Sequence, residues 1–204
     1  FNATEINHSK KYQDFVFDLI IFNTLVSLKL THKFKSHKKI LWIHETHPKY
    51  YFKSNLKFDY ILCDSEGIFD LVKDIYQSKH IQILYPINFN NFTFQPYQPS
   101  DKIVFGNFGF ICQHKNQIEI INAFISLPQE YLDQTEIILL DSNINKKNRL
   151  LKAVEQSDKT LNLTFLPVIP FDQVESYYDK IDVYISSSLN EPFGKTIIES
   201  MDKG

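Results

Sequence analysis

The chain has 204 residues and a formal net charge of −2, and hydrophobic residues make up 43% of its composition. These values predict a soluble globular protein with one large domain or two small ones. The nearly balanced charge gives no general reason to bind nucleic acid, and no apolar run is long enough to span a bilayer. The two cysteines, Cys63 and Cys112, lack metal-site spacing and predict a reducing compartment.

Apolar runs of strand length alternate with stretches of helical period along most of the chain. The elements predicted in the first part are a strand at 18–23, a helix at 25–35, a strand at 39–44, a loop at 46–57, a strand at 60–63, a helix at 65–76 and a strand at 80–85. Periodicity then stops over 86–101, where three prolines and several asparagines are typical of a linker. The elements predicted after it are strands at 102–108, 136–141, 163–168 and 182–187, helices at 117–125, 146–156 and 173–180, and a closing helix that starts near 194.

Alternation of strands and helices predicts parallel sheets with right-handed crossovers. We expect a partial domain at 1–90, a linker at 91–101 and a second partial domain at 102–204. Ligands of such sheets bind beyond the carboxyl ends of the strands. The positions that follow strands are His44, Asp64, Gly109, Asp141 and the loop 186–191.

The stretch that closes the chain places Glu191 and Glu199 on either side of a Pro-Phe-Gly turn and a helix start. A helix N-terminus favours anions such as phosphate, and Gly194 permits close approach of the backbone. A carboxylate at Glu199 can accept hydrogen bonds from two ribose hydroxyls, and Glu191 can accept from a second sugar. A solvated loop followed by an ordinary amphipathic helix is the alternative.

The sequence "SSLNEPFGKTIIESMDKG" resembles the E-x7-E motif of retaining GT-B glycosyltransferases of family four, also called glycosyl transferases group 1. The matching positions are Glu191, Pro192, Phe193, Gly194, Glu199, Met201 and Gly204. "VFGNFGFICQHKNQIEIINAF" is similar to the family's G-x-I-x-x-x-K-N-Q segment. The resemblance is close over 102–204 and looser before it. It implies two Rossmann-like domains that face a cleft, and both would be truncated in an internal fragment of this length.

The resemblance also implies roles for individual residues. Those expected to bind the donor are Gly109, Lys115, Glu191, Pro192, Phe193, Gly194, Lys195 and Glu199. Lys115 would neutralise a diphosphate, although it can also be a surface lysine near a helix start. His44 and Glu191 are the expected catalytic residues, with His44 facing the donor sugar, although His44 can also be a packed histidine. Phe110 stands where many relatives have an arginine that contacts phosphate.

The function implied is retaining transfer of a hexose-like unit from a nucleotide diphosphate-sugar to a hydroxyl of a glycan or lipid-linked acceptor. No Asp-x-Asp motif occurs, so we expect no metal and no cofactor apart from the donor. The enzyme would be cytoplasmic, and the basic run 31–39 would contact the inner face of a membrane unless it is a solvated helix end. The alternative is a non-catalytic nucleotide-sugar-binding homologue or partner subunit. A nicotinamide-dependent oxidoreductase needs a G-x-G-x-x-G turn, which Gly106 and Gly109 do not supply.

Overall fold

The computed structural model describes residues 12, 14–45, 57–76, 78, 80–85, 101–140, 144–168, 170 and 173–203. The chain divides into two compact units, Phe1–Pro86 and Ile87–Gly204. Each unit contains a four-stranded parallel sheet, which confirms the predicted α/β class. Most of the predicted linker, the loop 46–57 except its last residue, and Asp141 lie outside the described residues, so the predictions made for them stay predictions.

The first unit contains a sheet in the order β1-β2-β3-β4, with one helix after the third strand. Its elements are β1 (Val16–Asn23), a 3₁₀ helix (Leu25–Leu30), β2 (Lys35–Ile43), β3 (Tyr60–Cys63), α1 (Glu66–Val72) and β4 (Ile81–Ile83). Helix α1 begins where the Ser65 hydroxyl accepts a hydrogen bond from the Ile68 N–H at 3.3 Å. Ile68 and Val72 then pack against β2 and β3 in one apolar core.

The helix predicted at 25–35 is wrong beyond residue 30. The 3₁₀ helix ends at Leu30, and β2 begins at Lys35, four residues earlier than the strand predicted from 39. Strand β2 pairs with β1 from the Val16–Lys35 pair to the Asn23–Trp42 pair, and this long-range pairing overrides the local helical pattern. Phe34 is buried, with its ring centroid 6.4 Å from that of Phe17.

The second unit contains a sheet in the order β7-β6-β5-β8, with helices between successive strands. Its elements are β5 (Ile103–Asn107), α2 (Gln117–Ile125), α3 (Gln129–Leu132), β6 (Thr135–Leu140), α4 (Ile144–Glu155), β7 (Leu163–Leu166), α5 (Glu175–Tyr178), β8 (Val183–Tyr184) and α6 (Lys195–Lys203). Helix α3 was not predicted. The strand predicted at 182–187 is only two residues long, because the Asn107 side chain donates to the Ile185 carbonyl at 2.8 Å where the backbone ladder ends.

Strand β8 lies on the opposite side of β5 from β6 and β7, so the strand order reverses at β5. In parallel sheets, ligands bind beyond the carboxyl ends of the strands at such a reversal of strand order, so the loops that follow β5 and β8 are candidates for a binding site. Close packing of the segment before β8 depends on Gly106, since a Cβ there would lie 2.6 Å from Cγ2 of Ile181. This edge of the second sheet is where ligand-binding residues are expected.

Candidate active site

Hydrogen bonds and an ion pair join the loop after β5 to the loop after β8. The Ser187 hydroxyl lies 2.9 Å from the carbonyl oxygens of both Lys115 and Asn116. The Leu189 N–H donates to the His114 carbonyl at 2.8 Å. Asn116 has a φ of 55°, which an asparagine tolerates better than most residues and which turns the chain into α2. The two loops are thus held together at the point where the strand order reverses.

The two loops are also joined by an ion pair between Lys115 Nζ and Glu191 Oε2. Both side chains are mostly shielded from water, with 19% of Lys115 and 23% of Glu191 exposed. The sequence predicted that Lys115 binds phosphate and that Glu191 binds sugar hydroxyls, and the structure brings these two side chains together. A donor diphosphate would compete with Glu191 for the ammonium group.

Two buried amide side chains shape the loop after β5. Asn107 Oδ1 accepts from the Gly109 N–H at 3.2 Å and from Gln117 Nε2 at 3.3 Å. Gln117 Nε2 also lies 3.0 Å from the Phe110 carbonyl, and its Oε1 accepts from the Cys112 N–H at 3.3 Å. The Gly109 N–H is therefore already donated to a side chain. The sequence prediction missed both amides, although Gln117 is the last residue of the K-N-Q signature.

The Pro-Phe-Gly turn leads directly into α6. Gly194 has a φ of 75°, and a Cβ there would lie 3.3 Å from Cγ of Glu191. The Gly194 carbonyl accepts from the N–H groups of Ile197 and Ile198 at 2.9 and 3.1 Å, which starts the helix. The first N–H groups of a helix have no partner within it and carry a partial positive charge. The predicted donor-binding positions Pro192, Phe193 and Lys195 lie at this helix start.

Glu199 is the fifth residue of α6, within its first two turns as predicted. Its Oε2 accepts a hydrogen bond from the Tyr178 hydroxyl at 3.0 Å, and its Oε1 lies 3.6 Å from Lys195 Nζ. Burial, with a smaller effect of the Glu199 charge, raises the pKa of the Tyr178 phenol well above its usual value, so the phenol stays protonated and donates. No pattern in the sequence pointed to Tyr178.

A second tyrosine supports the same helix. The Tyr184 hydroxyl donates to Thr196 Oγ1 at 2.7 Å, and burial raises the pKa of this phenol above its usual value. At the other end of α6, Lys203 Nζ lies 2.7 Å from Glu175 Oε1 and 3.6 Å from Asp179 Oδ1. Helix α6 is thus connected to β8 and to the α5 region by polar contacts at both of its ends.

A separate polar cluster lies at the carboxyl edge of the first sheet. His44 Nδ1 contacts Asp64 Oδ2, and His44 Nε2 contacts Asn23 Oδ1. The Trp42 indole N–H donates to the other oxygen of Asp64 at 2.6 Å. Both ring nitrogens of His44 are therefore engaged, and Asp64 is buried with two partners. Next to Asn23, Thr24 has a φ of 90°, a strained value for a β-branched residue. The role predicted for His44 opposite a donor sugar stays a prediction.

Two kinds of feature are absent among the residues that the structure describes. No group of three or more histidine, cysteine, aspartate or glutamate side chains among them is arranged to hold a metal ion. No helix among them has the length and apolar character needed to cross a membrane.

Comparison with solved structures identifies the fold. HepE of Anabaena in complex with UDP-glucose is 16% identical, with a TM-score of 0.66 over 91% of this chain. A mutant of S. aureus TarM in complex with fondaparinux, α-GlcNAc-glycerol and UDP is 14% identical, with a TM-score of 0.63 over 86% of this chain. OtsA is 9% identical, with a TM-score of 0.58 over 91% of this chain. The chain spans 57%, 37% and 55% of the lengths of these three proteins. The predicted GT-B fold is confirmed.

Sequence comparison identifies the family. The family model described as "Glycosyl transferases group 1" matches residues 88–204, and the chain belongs to this family of glycosyltransferases. The match includes the second unit from β5 to α6 and so contains Lys115, Glu191 and Glu199. No curated protein matches this chain.

Proposed function

We propose that the chain carries the donor-binding part of a retaining hexosyltransferase that takes its sugar from a nucleotide diphosphate-sugar. The observation that carries this proposal is the meeting of Lys115, Glu191, Gly194 and the start of α6 at the reversal of strand order. A cation and a helix N-terminus at one place suit a diphosphate. A carboxylate on each side of the turn suits sugar hydroxyls.

In the proposed reaction, the bond between the anomeric carbon of the sugar and the diphosphate oxygen breaks. The acceptor oxygen bonds to that carbon from the same face, and the acceptor proton passes to the leaving phosphate. Lys115 and the N-terminus of α6 stabilise the negative charge that develops on the leaving diphosphate. Glu191 orients the transferred sugar, and Glu199 binds the ribose. No metal takes part in this proposal.

Two structurally similar proteins support the substrate classes. HepE was solved with UDP-glucose, which supports a nucleotide-sugar donor. TarM was solved with UDP and α-GlcNAc-glycerol, which supports a glycan acceptor, and the lipid-linked alternative rests on the resemblance to family four. Retention and metal independence rest on the resemblance to family four.

We assign acceptor binding to the first unit, where His44 would contact the transferred sugar in the full-length protein. Membrane contact through 31–39 is part of this proposal, with a cytoplasmic location at the inner face. Lys33, Lys35 and Lys38 are exposed in that segment, whereas Phe34 is buried. The contact would therefore be electrostatic, with anionic lipid, and would not involve insertion of this aromatic side chain.

One observation favours a second candidate, a nucleotide-sugar-binding homologue or partner subunit without activity. Phe110 occupies the position of the phosphate-contacting arginine, and the residue is 63% exposed. Loss of that cation would weaken stabilisation of the leaving group while binding of the nucleotide persists.

The deciding experiment uses the full-length protein and radiolabelled UDP-glucose, UDP-GlcNAc, GDP-mannose and ADP-glucose, with water or added glycan as acceptor. Release of nucleoside diphosphate with a labelled product, lost in Glu191→Ala and Lys115→Ala, supports the transferase. Calorimetric binding of a donor without any release supports the non-catalytic candidate. Failure of all four donors to bind would refute both.

A further inference from the structure

The side chain of Tyr178 lies beneath helix α6. Only 4% of the residue is exposed, and its ring packs edge-on against Phe108 at a centroid distance of 5.0 Å. Its hydroxyl lies 3.0 Å from Glu199 Oε2 and 3.2 Å from the Thr196 carbonyl. A phenol has one hydrogen to donate, and a carboxylate is the stronger acceptor, so the hydrogen points chiefly to Glu199.

The two carboxylate oxygens of Glu199 have different surroundings. Oε2 is bonded to a hydroxyl on a buried ring, whereas Oε1 has Lys195 Nζ at 3.6 Å, beyond hydrogen-bond distance for a nitrogen and an oxygen. A glutamate on a helix surface otherwise samples several rotamers, and fixing it costs conformational entropy. A hydrogen bond from the rigid core selects one rotamer before any ligand arrives, and such preorganisation strengthens binding.

We propose that Tyr178 is a positioning residue, whose buried hydroxyl holds the Glu199 carboxylate in the orientation that receives the ribose hydroxyls of the donor. The proposal rests on the proposed function, since it deepens the role given there to Glu199. Tyr178 itself does not touch the donor. Its effect on binding therefore passes through Glu199 and depends on the presence of the ribose hydroxyls.

The structure offers a matched control. Tyr184 is also a mostly buried tyrosine whose hydroxyl bonds to α6, but its partner is Thr196 Oγ1 and not Glu199. Tyr178→Phe and Tyr184→Phe each remove one oxygen and one hydrogen bond to the same helix while keeping the ring. A loss caused by a loosened helix would appear in both variants, whereas a loss caused by a misplaced carboxylate would appear only in Tyr178→Phe.

The test measures binding by calorimetry in the full-length protein. UDP, GDP and ADP are each titrated into the wild type, and the tightest binder is used further with its 2′,3′-dideoxy form. We expect Glu199→Ala to weaken binding of the ribonucleotide roughly ten- to 150-fold and Tyr178→Phe about three- to tenfold. Neither variant should weaken binding of the dideoxynucleotide, and Tyr184→Phe should change neither ligand by more than about twofold. In a Glu199→Ala background, Tyr178→Phe should have no further ribose-dependent effect.

The outcomes separate the proposal from the proposed function. If Glu199→Ala shows the ribose-dependent loss and Tyr178→Phe does not, the positioning role is wrong and the ribose site stands. If Glu199→Ala weakens binding of the ribonucleotide and of its dideoxy form equally, the ribose assignment itself is wrong. The same conclusion follows if none of UDP, GDP and ADP binds the wild type. If Tyr178→Phe does not fold, the comparison of Glu199→Gln with Glu199→Ala replaces it. Glu199→Gln should then restore ribonucleotide binding only in part relative to Glu199→Ala, because the amide offers the Tyr178 phenol a neutral acceptor. Full restoration by Glu199→Gln would overturn the proposal.

Discussion

Lys115 and Glu191 are 76 positions apart in the chain, yet their side chains form an ion pair where β5 and β8 end. Each charge neutralises the other while the donor is absent. In the proposed function, a bound diphosphate would replace the carboxylate as the partner of Lys115, and Glu191 would then be available to sugar hydroxyls. If both roles are correct, the pair would couple recognition of the diphosphate to recognition of the sugar.

Lys115→Met should weaken binding of a nucleoside diphosphate about ten- to 150-fold, because one charge-assisted contact is lost. Binding of the corresponding nucleoside, which has no phosphate, should not change. Lys152→Met on the exposed side of α4 is the matched control and should leave both affinities unchanged. Calorimetry with both ligands checks the prediction, and equal losses for nucleoside and diphosphate would contradict it.

Transfer should persist in the presence of EDTA. In the proposed reaction, Lys115 and the N-terminus of α6 handle the phosphate charge. The measurement is the initial rate of product formation in the full-length protein before and after chelation, with magnesium and manganese added back separately. Loss of activity on chelation, with recovery on adding manganese, would show that the metal-independent mechanism is wrong.

Gly194→Ala should destabilise the second unit by about 1–2 kcal/mol, because its φ of 75° disfavours any residue with a Cβ. Donor binding should weaken as well, since the new Cβ would lie 3.3 Å from Cγ of Glu191. Gly67→Ala in α1 is the opposite case, because the new Cβ would have only Ser65 Oγ nearby, at 3.9 Å. This change should stabilise the first unit by about 0.5–1 kcal/mol. The midpoints of urea unfolding of the two variants check these expectations. An unchanged midpoint for Gly194→Ala would show that the turn adjusts to accept a Cβ.

Asp64→Ala should destabilise the first unit by about 2–4 kcal/mol, because the Trp42 indole N–H and the His44 ring lose a buried acceptor. Asp70→Ala removes an exposed carboxylate that pairs with Lys73 and should leave the urea midpoint unchanged. Activity of Asp64→Asn in the full-length protein adds a second measurement. Loss of activity with an unchanged midpoint would show that Asp64 orients His44, whereas a lower midpoint with full activity would indicate a structural role alone.

Only one of the two thiols should react with iodoacetamide at neutral pH. Burial, and to a lesser extent the neighbouring Asp64, raises the pKa of the Cys63 thiol to about 12, so Cys63 stays protonated and unreactive over the whole physiological range. Cys112 is partly exposed in the loop after β5 and should be alkylated. Peptide mass spectrometry of the native protein checks this prediction. Labelling of Cys63 at pH 7 without unfolding would contradict it.

Some site residues could be predicted because the local sequence pattern shows where each lies relative to a strand end or a helix start. These residues are Lys115, Glu191, Gly194 and Glu199. Strand ends could be placed from apolar runs, and a glycine between two acids could be recognised as a turn into a helix. Which acid pairs with Lys115 could not be predicted, since that depends on β8 joining β5 on the side away from β6.

Other features depended on contacts between distant segments and were missed for that reason. Tyr178 reaches Glu199 only because α5 packs beneath α6, and a lone tyrosine in a polar stretch gives no sign of this. The helix predicted to 35 failed because pairing of β2 with β1 decides the conformation of the lysine-rich segment. Asp64 was recognised as a residue after a strand, but its contacts with Trp42 and His44 needed the register between β2 and β3.

The short strand β8 also determines when the candidate site can form during synthesis. The hydrogen bond from the Asn107 side chain to the Ile185 carbonyl can form only after 78 further residues have been synthesised. The bond from the Val104 N–H to the Asp182 carboxylate requires the same number. At ribosomal speeds this delay is on the order of 4–16 s. Strands β5, β6 and β7 can pair in that interval, but the edge of β5 that later receives β8 remains open. None of the nine residues of α6 is fully buried, so this helix adds little core of its own. The nascent chain would thus pass through a stage that is largely folded and exposes a strand edge, before the proposed donor site is complete.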